Sequence, residues 1–275
     1  MLKKAYLEIT NLCNLACAFC PGTRREAHML TLEEFSCLTE KLRGRVRYLY
    51  FHLMGEPLLH PLLPDFLQIA GERGFHAMIT TNGTLLRERG ELLCESGAVL
   101  KVSVSLQSFE ANAGGELGAY LADCIAFAKK ATAAGKRCEL RLWNRNGLES
   151  LNPSIEAQLA ASFPRPWQPG REGWKLGENL WLVRGDLFDW PAMEAEDRGE
   201  SCFCYGLRDQ IGILCDGTVV PCCLDHEGDV PLGNLFTQSL EEILAGERAR
   251  AIREGFSRRR AVEPLCRRCG YSRRF

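Results

Sequence analysis

Short apolar runs of strand character alternate with longer stretches of helical character along the first two thirds of the chain. Val46 to His52 (Val-Arg-Tyr-Leu-Tyr-Phe-His) is β-branched and aromatic and predicts a strand. Similar runs at residues 4–9, 75–80, 99–106, 137–143 and 179–183 predict five more. Between them, helical periodicity covers Thr31 to about Leu42, His60 to Arg73, Leu85 to Ser96, about 117–134 and, more weakly, 154–162. Thr31-Leu-Glu-Glu has the form of a capping box, and Gly44, Gly74, Gly97 and Gly135 stand where helices stop.

Strand followed by helix, repeated, predicts parallel strands joined by right-handed crossovers. Six units fall short of the eight of a closed barrel, so the expected fold is α/β, an open partial (β/α)6 barrel over residues 1–191. Residues 164–178 are rich in Pro, Gly and Trp and read as a loop over the barrel. Residues 192–200 read as an acidic linker. From Ser201 the pattern changes. Two strands meet around Cys215-Asp216-Gly217, Gly233-Asn234 reads as a turn, and Ser239-Leu-Glu-Glu opens a helix to about Arg253. This predicts a small α+β domain, hairpin plus helix, over 201–275.

Composition adds limits. The chain has 275 residues, 46% hydrophobic and 25% charged, ordinary for a globular protein. No apolar run is long enough to span a bilayer. Met1-Leu2-Lys3-Lys4-Ala5 leads straight into a strand, so no signal peptide is expected and the compartment is read as cytoplasmic. The net charge of −1 is uneven, because residues 248–275 hold ten Arg and two Glu. That asymmetry fits a solvated helix and tail better than a nucleic-acid surface. Arg24, Arg25 and Glu26 read as exposed connection.

The 14 cysteines fall into two clusters with four singles between. Cys37, Cys94, Cys124 and Cys138 lie in apolar patterns and read as small buried hydrophobes. Cys13, Cys17 and Cys20 share one short loop with spacing C-x3-C-x2-C. Soft thiolates this close select iron–sulfur clusters or zinc, but a closed zinc site wants four ligands and this loop offers three. A cubane held by three cysteines leaves one iron open. Every unusual polar motif falls at the C-terminal end of a predicted strand. These are the cysteine loop, Gly55-Glu56-Pro57, Thr81-Asn82-Gly83, Ser105 with Gln107, and Arg141 with Asn144. In β/α barrels such ends form the active mouth.

At Cys13, Cys17, Cys20 and Phe19 the chain resembles the radical S-adenosylmethionine (radical SAM) enzymes. The resemblance implies a [4Fe-4S] cluster on the three cysteines with SAM chelated to its open iron, and reductive cleavage of SAM to a 5′-deoxyadenosyl radical. Gly55-Glu56-Pro57 is similar to the family's GGEP element, with Met54 in place of the first glycine. By that resemblance its backbone and the Glu56 carboxylate meet the SAM amino group; the alternative for Glu56 is a helix N-terminal acid. Ser105 is implied at the SAM ribose, Arg141 toward the SAM carboxylate, and Asn82, a turn residue on its own pattern, near the adenosine.

Cys204, then Cys222 at the end of Gly217-x4-Cys222, then Cys266-x2-Cys269 resemble the twitch module, a truncated SPASM domain. This implies one auxiliary [4Fe-4S] cluster on four cysteines, with Cys202 competing for the first position; a zinc ribbon is the alternative on the residues alone. Cys215 and Cys223 remain as spare thiols, and Cys215 is a candidate hydrogen-atom donor. The expected function is hydrogen abstraction from a small alcohol or sugar, or from a peptide. The implied partners are a flavodoxin- or ferredoxin-type electron donor and, for a peptide, a separate recognition protein. The other readings are an RNA-modifying radical SAM enzyme using the arginine tail, and a zinc- or cluster-stapled binding protein.

Overall fold

The periodicities become elements over residues 2–112 and 115–274, which the computed structural model describes. Helix α1 (Leu32–Leu42) starts on a complete capping box: the Thr31 hydroxyl accepts from the Glu34 amide, and the Glu34 carboxylate accepts from the Thr31 amide. The other barrel helices are α2 (Leu63–Glu72), α3 (Leu86–Glu95), the short α4 (Gln107–Glu110), α5 (Leu117–Ala133) and α6 (Asn152–Ser162). The strands between them are β1 (Lys4–Leu7), β2 (Tyr48–Tyr50), β3 (His76–Thr81), β4 (Val99–Ser105) and β5 (Arg137–Arg145). They pair in sequence order and all in parallel. Strand β8 (Leu180–Asp186) follows as the sixth, parallel to β5.

The stretch 164–178 differs from the expected loop. It forms β6 (Gln168–Gly170) and β7 (Gly173–Gly177), an antiparallel extension of β8. Pro169 is tolerated because β6 is the sheet edge, where a missing N–H leaves no partner unserved. The C-terminal hairpin also differs. Its strands β9 (Gln210–Ile213) and β10 (Thr218–Val220) do not stand apart, since β9 pairs in parallel with β1 and continues the same sheet. Gly233–Asn234 is not a free turn but a two-residue strand, β11, on β10. The helix expected from Ser239 to Arg253 is two, α7 (Leu240–Ala245) and α8 (Glu247–Ser257), broken where Gly246 turns extended. A last short helix, α9 (Pro264–Arg267), precedes Cys269.

The eleven-stranded order is β11-β10-β9-β1-β2-β3-β4-β5-β8-β7-β6. Alternation divides its faces. Ala5, Leu7, Leu49, Ala77, Val102, Val104, Leu140 and Leu182 are buried in the main core. The intervening residues, among them Tyr6, Tyr50, Lys101, Ser103, Glu139 and Arg141, point to the other face. On a flat sheet β1 and β5 would stand roughly 19 Å apart, four spacings of about 4.8 Å. Arg141 on β5 nevertheless lies within electrostatic reach of Tyr6 on β1, as Lys101 does of Lys4 and Glu139 of Tyr50, so side chains of separated strands converge over this face, called the chamber below.

Candidate functional site

The three-cysteine loop follows β1 and is held from two sides by asparagine amides. Asn112 Nδ2 donates to Cys17 Sγ at 3.0 Å, while its Oδ1 accepts from the Ala16 amide at 2.9 Å. Asn82 Nδ2 donates to Asn14 Oδ1 at 2.9 Å and lies 3.9 Å from Cys13 Sγ. Asn82 Oδ1 in turn accepts from Thr84. Asn82 is therefore both the turn residue its sequence suggests and a tether of the loop. Asn112 is an addition from the structure, since an asparagine in a connection carries no pattern of its own. Cys13 and Cys20 are exposed and Cys17 and Phe19 half-buried. Partial desolvation, and for Cys13 and Cys17 neighbouring carboxylate or thiol groups, pushes the three thiols up.

Gly55 packs directly on this loop. Its φ is +77°, and a Cβ there would sit 2.3 Å from the Thr10 carbonyl oxygen and 2.8 Å from that of Leu12. The Glu56 amide donates to the Leu12 carbonyl at 2.8 Å. The Glu56 carboxylate is turned away from open space. One oxygen accepts from the Leu58 amide at 3.0 Å, capping the 3₁₀ turn Pro57–Leu59, and the other from the Asn82 amide at 2.7 Å. Of the two roles weighed from sequence, the capping acid is the one these contacts describe. Burial raises its pKa against these hydrogen bonds.

Arg25 is the main departure from the exposed connection expected around it. It forms a two-pronged ion pair with the fully buried Glu8, at 2.8 and 2.7 Å, and donates from Nε to the His226 carbonyl at 2.7 Å. Glu8 also accepts from the amides of Met54 and Cys215. One buried pair thus joins β1, the segment after Cys20, the loop after β2 and the β9–β10 turn. Cys215 belongs to this knot: it is 2% exposed, with Sγ 3.7 Å from Arg25, and its thiol is pushed to about 12 by burial and by Glu8. Cys223 instead meets Tyr6 and lies near Lys4, on the chamber side.

Ser105 ends β4 in register with Arg141. The Arg141 guanidinium lies over the Trp143 ring at 3.8 Å. Deeper, Glu139 is shared by Lys101 at 3.0 Å, Arg137 at 3.1 Å and the Ser103 hydroxyl at 3.1 Å.

The second cysteine group surrounds one cavity in the C-terminal part. Cys202, Cys204, Cys222, Cys266 and Cys269 all line it, among Val230, Phe256 and Leu265. The Gly206 amide donates to Cys204 Sγ at 3.3 Å. Burial pushes Cys204 to about 11, and raises Cys222 and Cys266 well above the usual thiol value. Pro264 opens α9, the short helix that carries Cys266. Among the described residues no three His, Cys, Asp or Glu side chains stand close enough to hold a single metal ion. Arginines of the tail close the module over the acidic linker: Arg267 and Arg268 pair with Asp197, and Arg260 with Glu200.

A thiol-bearing loop at the strand ends, a glycine locked against it and an apolar cavity ringed by cysteines define a class. Residues 7–142 match the radical SAM superfamily and residues 202–270 the SPASM iron–sulfur cluster-binding domain. The chain belongs to the radical SAM superfamily and carries a C-terminal SPASM-type auxiliary-cluster domain. These domains imply SAM and iron–sulfur cofactors. The chain is similar over its whole length to BtrN solved with AdoMet and 2-DOIA, with TM-score 0.62, 19% identity and 98% and 93% of the two chains covered. It is 27% identical over 285 residues to the PqqA peptide cyclase of Streptomyces rochei, covering 88% of this chain and 75% of that one. Over 91 residues it is 36% identical to the tungsten-containing aldehyde ferredoxin oxidoreductase cofactor-modifying protein of Pyrococcus furiosus, covering 32% of this chain. The match spans 25% to 29% of the length of that protein and two further curated relatives. No helix among the described residues is long and apolar enough to cross a membrane.

Proposed function

We propose that this enzyme abstracts a hydrogen atom from a C–H bond of a small molecule or peptide held in the chamber between two iron–sulfur sites. Cys13, Cys17 and Cys20 hold a [4Fe-4S] cluster. SAM lies against it, along the backbone of Gly55, Glu56 and Pro57 and beside Phe19, Asn82 and Ser105. When bound, cluster and SAM supply a 5′-deoxyadenosyl radical. The chain's own residues do the positioning. Asn82 and Asn112 hold the cysteine loop, and Gly55 lets the loop after β2 pack against the Thr10 and Leu12 carbonyls at the base of that loop.

Cys222, Cys266, Cys269 and Cys204 hold the auxiliary [4Fe-4S] cluster. The Gly206 N–H to Cys204 Sγ bond supports Cys204 over Cys202 for the fourth position, since such a bond stabilises a thiolate ligand. A barrel module of residues 1–191, a linker of 192–200 and an iron–sulfur module of 201–275 divide this work. The thiol best placed to return a hydrogen atom is Cys223 at Tyr6 rather than Cys215, which Arg25 and Glu8 enclose. The electron comes from a flavodoxin- or ferredoxin-type donor. A peptide substrate is recognised by the chamber itself or by a separate protein.

The observation that carries this reading is the double amide tether on the three-cysteine loop at the chamber mouth. Anaerobic reconstitution tests it. About eight irons are expected in the parent and about four after replacing Cys13, Cys17 and Cys20 with alanine, with dithionite-dependent 5′-deoxyadenosine from the parent alone. No iron in the parent would end the proposal; about four irons plus one zinc would leave the C-terminal cysteines as a structural staple.

A further inference from the structure

Resting on the reading above, we infer that the chamber is built for a substrate bearing an anionic oxygen group, carboxylate or phosphate, and that Arg141 is its anchor.

The acids facing the chamber are already in use. Glu139 is shared by Lys101 and Arg137, and Glu8 is bound two-pronged by Arg25. Two cations remain. Neither Lys4 nor Arg141 makes a salt bridge among the described residues, and Arg141 Nε is buried there without an acceptor. A guanidinium removed from water with no carboxylate in contact is costly, Glu139 acting on it only at a distance, and a bound anion offsets that cost with charge-assisted hydrogen bonds.

The chamber also fixes the guanidinium. Its face rests on the Trp143 indole at 3.8 Å. The indole rests on Gly185 of β8, where a Cβ would come within 2.8 Å of the ring. Stacking occupies the face of a guanidinium and leaves its N–H edge, the geometry that matches a carboxylate or phosphate. Around it stand flat, amphipathic surfaces. Tyr6 and Tyr50 lie 4.6 Å apart, His52 is 5.5 Å from Tyr6, and Lys4 sits over both tyrosine rings at 5.3 Å. His52 reports the local field. Burial, then the positive charges of Arg141, Lys101 and Lys4, lower it to about 3, so it stays neutral and adds no charge of its own.

Resemblance alone directs Arg141 to the SAM carboxylate. Its surroundings direct it elsewhere. Besides Glu139, the groups that act on it are Tyr6, Tyr271 and Cys223, from β1, the C-terminal segment and the auxiliary module. None belongs to the Cys13–Cys20 loop, and the group on the loop after β2 that faces Arg141 is His52 rather than Gly55 or Glu56.

The test uses the full chain, anaerobically reconstituted and saturated with SAM, titrated by ligand-observed NMR with benzoate, phenyl phosphate and the neutral benzamide. Benzoate or phenyl phosphate should bind at least about tenfold tighter than benzamide, about 1.4 kcal/mol, and the tighter of the two identifies the anion. Arg141→Gln should abolish the preference and Arg141→Lys keep part of it, each with SAM affinity within about twofold of the parent. Benzamide binding as tightly as benzoate in the parent would overturn the inference without any variant. So would competition between benzoate and SAM, or a tenfold loss of SAM affinity in Arg141→Gln, either of which returns Arg141 to the SAM carboxylate. Failure of the radical SAM reading itself shows separately, as absent iron or absent 5′-deoxyadenosine.

Discussion

Gly55 illustrates how one residue controls a cysteine loop that it only packs against. A side chain there meets two backbone oxygens, which cannot rotate away, and a left-handed φ adds about 1–2 kcal/mol for any L-residue. Gly55→Ala is expected to push the Cys13 loop outward and cost about half of the bound iron, read by iron and sulfide analysis, while the auxiliary iron stays. His52 carries a pH signature. Its folded pKa of about 3 lies below the usual 6.5, so below about pH 6.5 the unfolded chain binds a proton that the folded chain refuses. Stability is complete above that pH and falls as pH drops toward 3, by at most about 1.4 kcal/mol per pH unit from this group. His60, lowered to about 4 by burial first, adds a slope of the same sign. Urea midpoints at pH 7.5 and 5.5 should differ less in His52→Gln than in the parent; an equal difference would remove His52 as a source.

At the scale of elements, the Glu8–Arg25 pair matters more than any helix cap. It links five stretches of chain, at Glu8, Arg25, Met54, Cys215 and His226, with hydrogen bonds of 2.7 to 3.2 Å, and both groups are largely withdrawn from water. Removing one partner leaves the other charge buried and unpaired. Arg25→Met should therefore lower unfolding stability by about 3–5 kcal/mol in urea. A drop below 1 kcal/mol would mean that the segments hold together without the pair. The helix starts, by contrast, were legible from the chain alone, because a capping box is a local device: Thr31 with Glu34 and Ser239 with Glu242 both formed as their spacing predicts. The Gly246 break was not legible. An isolated glycine in a helical pattern is tolerated as often as not, and only the packing of α7 and α8 decides its conformation.

For the molecule as a whole, part of the uneven charge is met internally: of the tail arginines, Arg248, Arg260, Arg267 and Arg268 pair with Glu263, Glu200 and Asp197. The protein is accordingly expected to show no saturable tRNA binding tighter than about 10 μM at physiological salt. Tight binding that weakens steeply with salt in filter-binding assays would reinstate the RNA reading. The same pairs tie the acidic linker to α9, beside Cys266 and Cys269, through Arg267 on Asp197 and Arg268 on the Ala195 carbonyl.

The sequence by itself determined the alternation of strands and helices, the parallel pairing of β1 to β5 and β8, and the two cysteine groups with their glycine turn. These are local signals: periodicity, caps, and ligands crowded into a few residues. The tertiary structure decided what joins across the chain. It added the C-terminal hairpin to β1, turned 164–178 into strands at an edge, placed Asn112 on Cys17, buried Arg25 against Glu8, and directed Cys223 rather than Cys215 toward Tyr6. None of these pairings has a periodicity, because each depends on which surfaces meet once the sheet curls. The same holds for the chamber's charge: composition counts acids and bases, but only packing decides which cations are left without a partner.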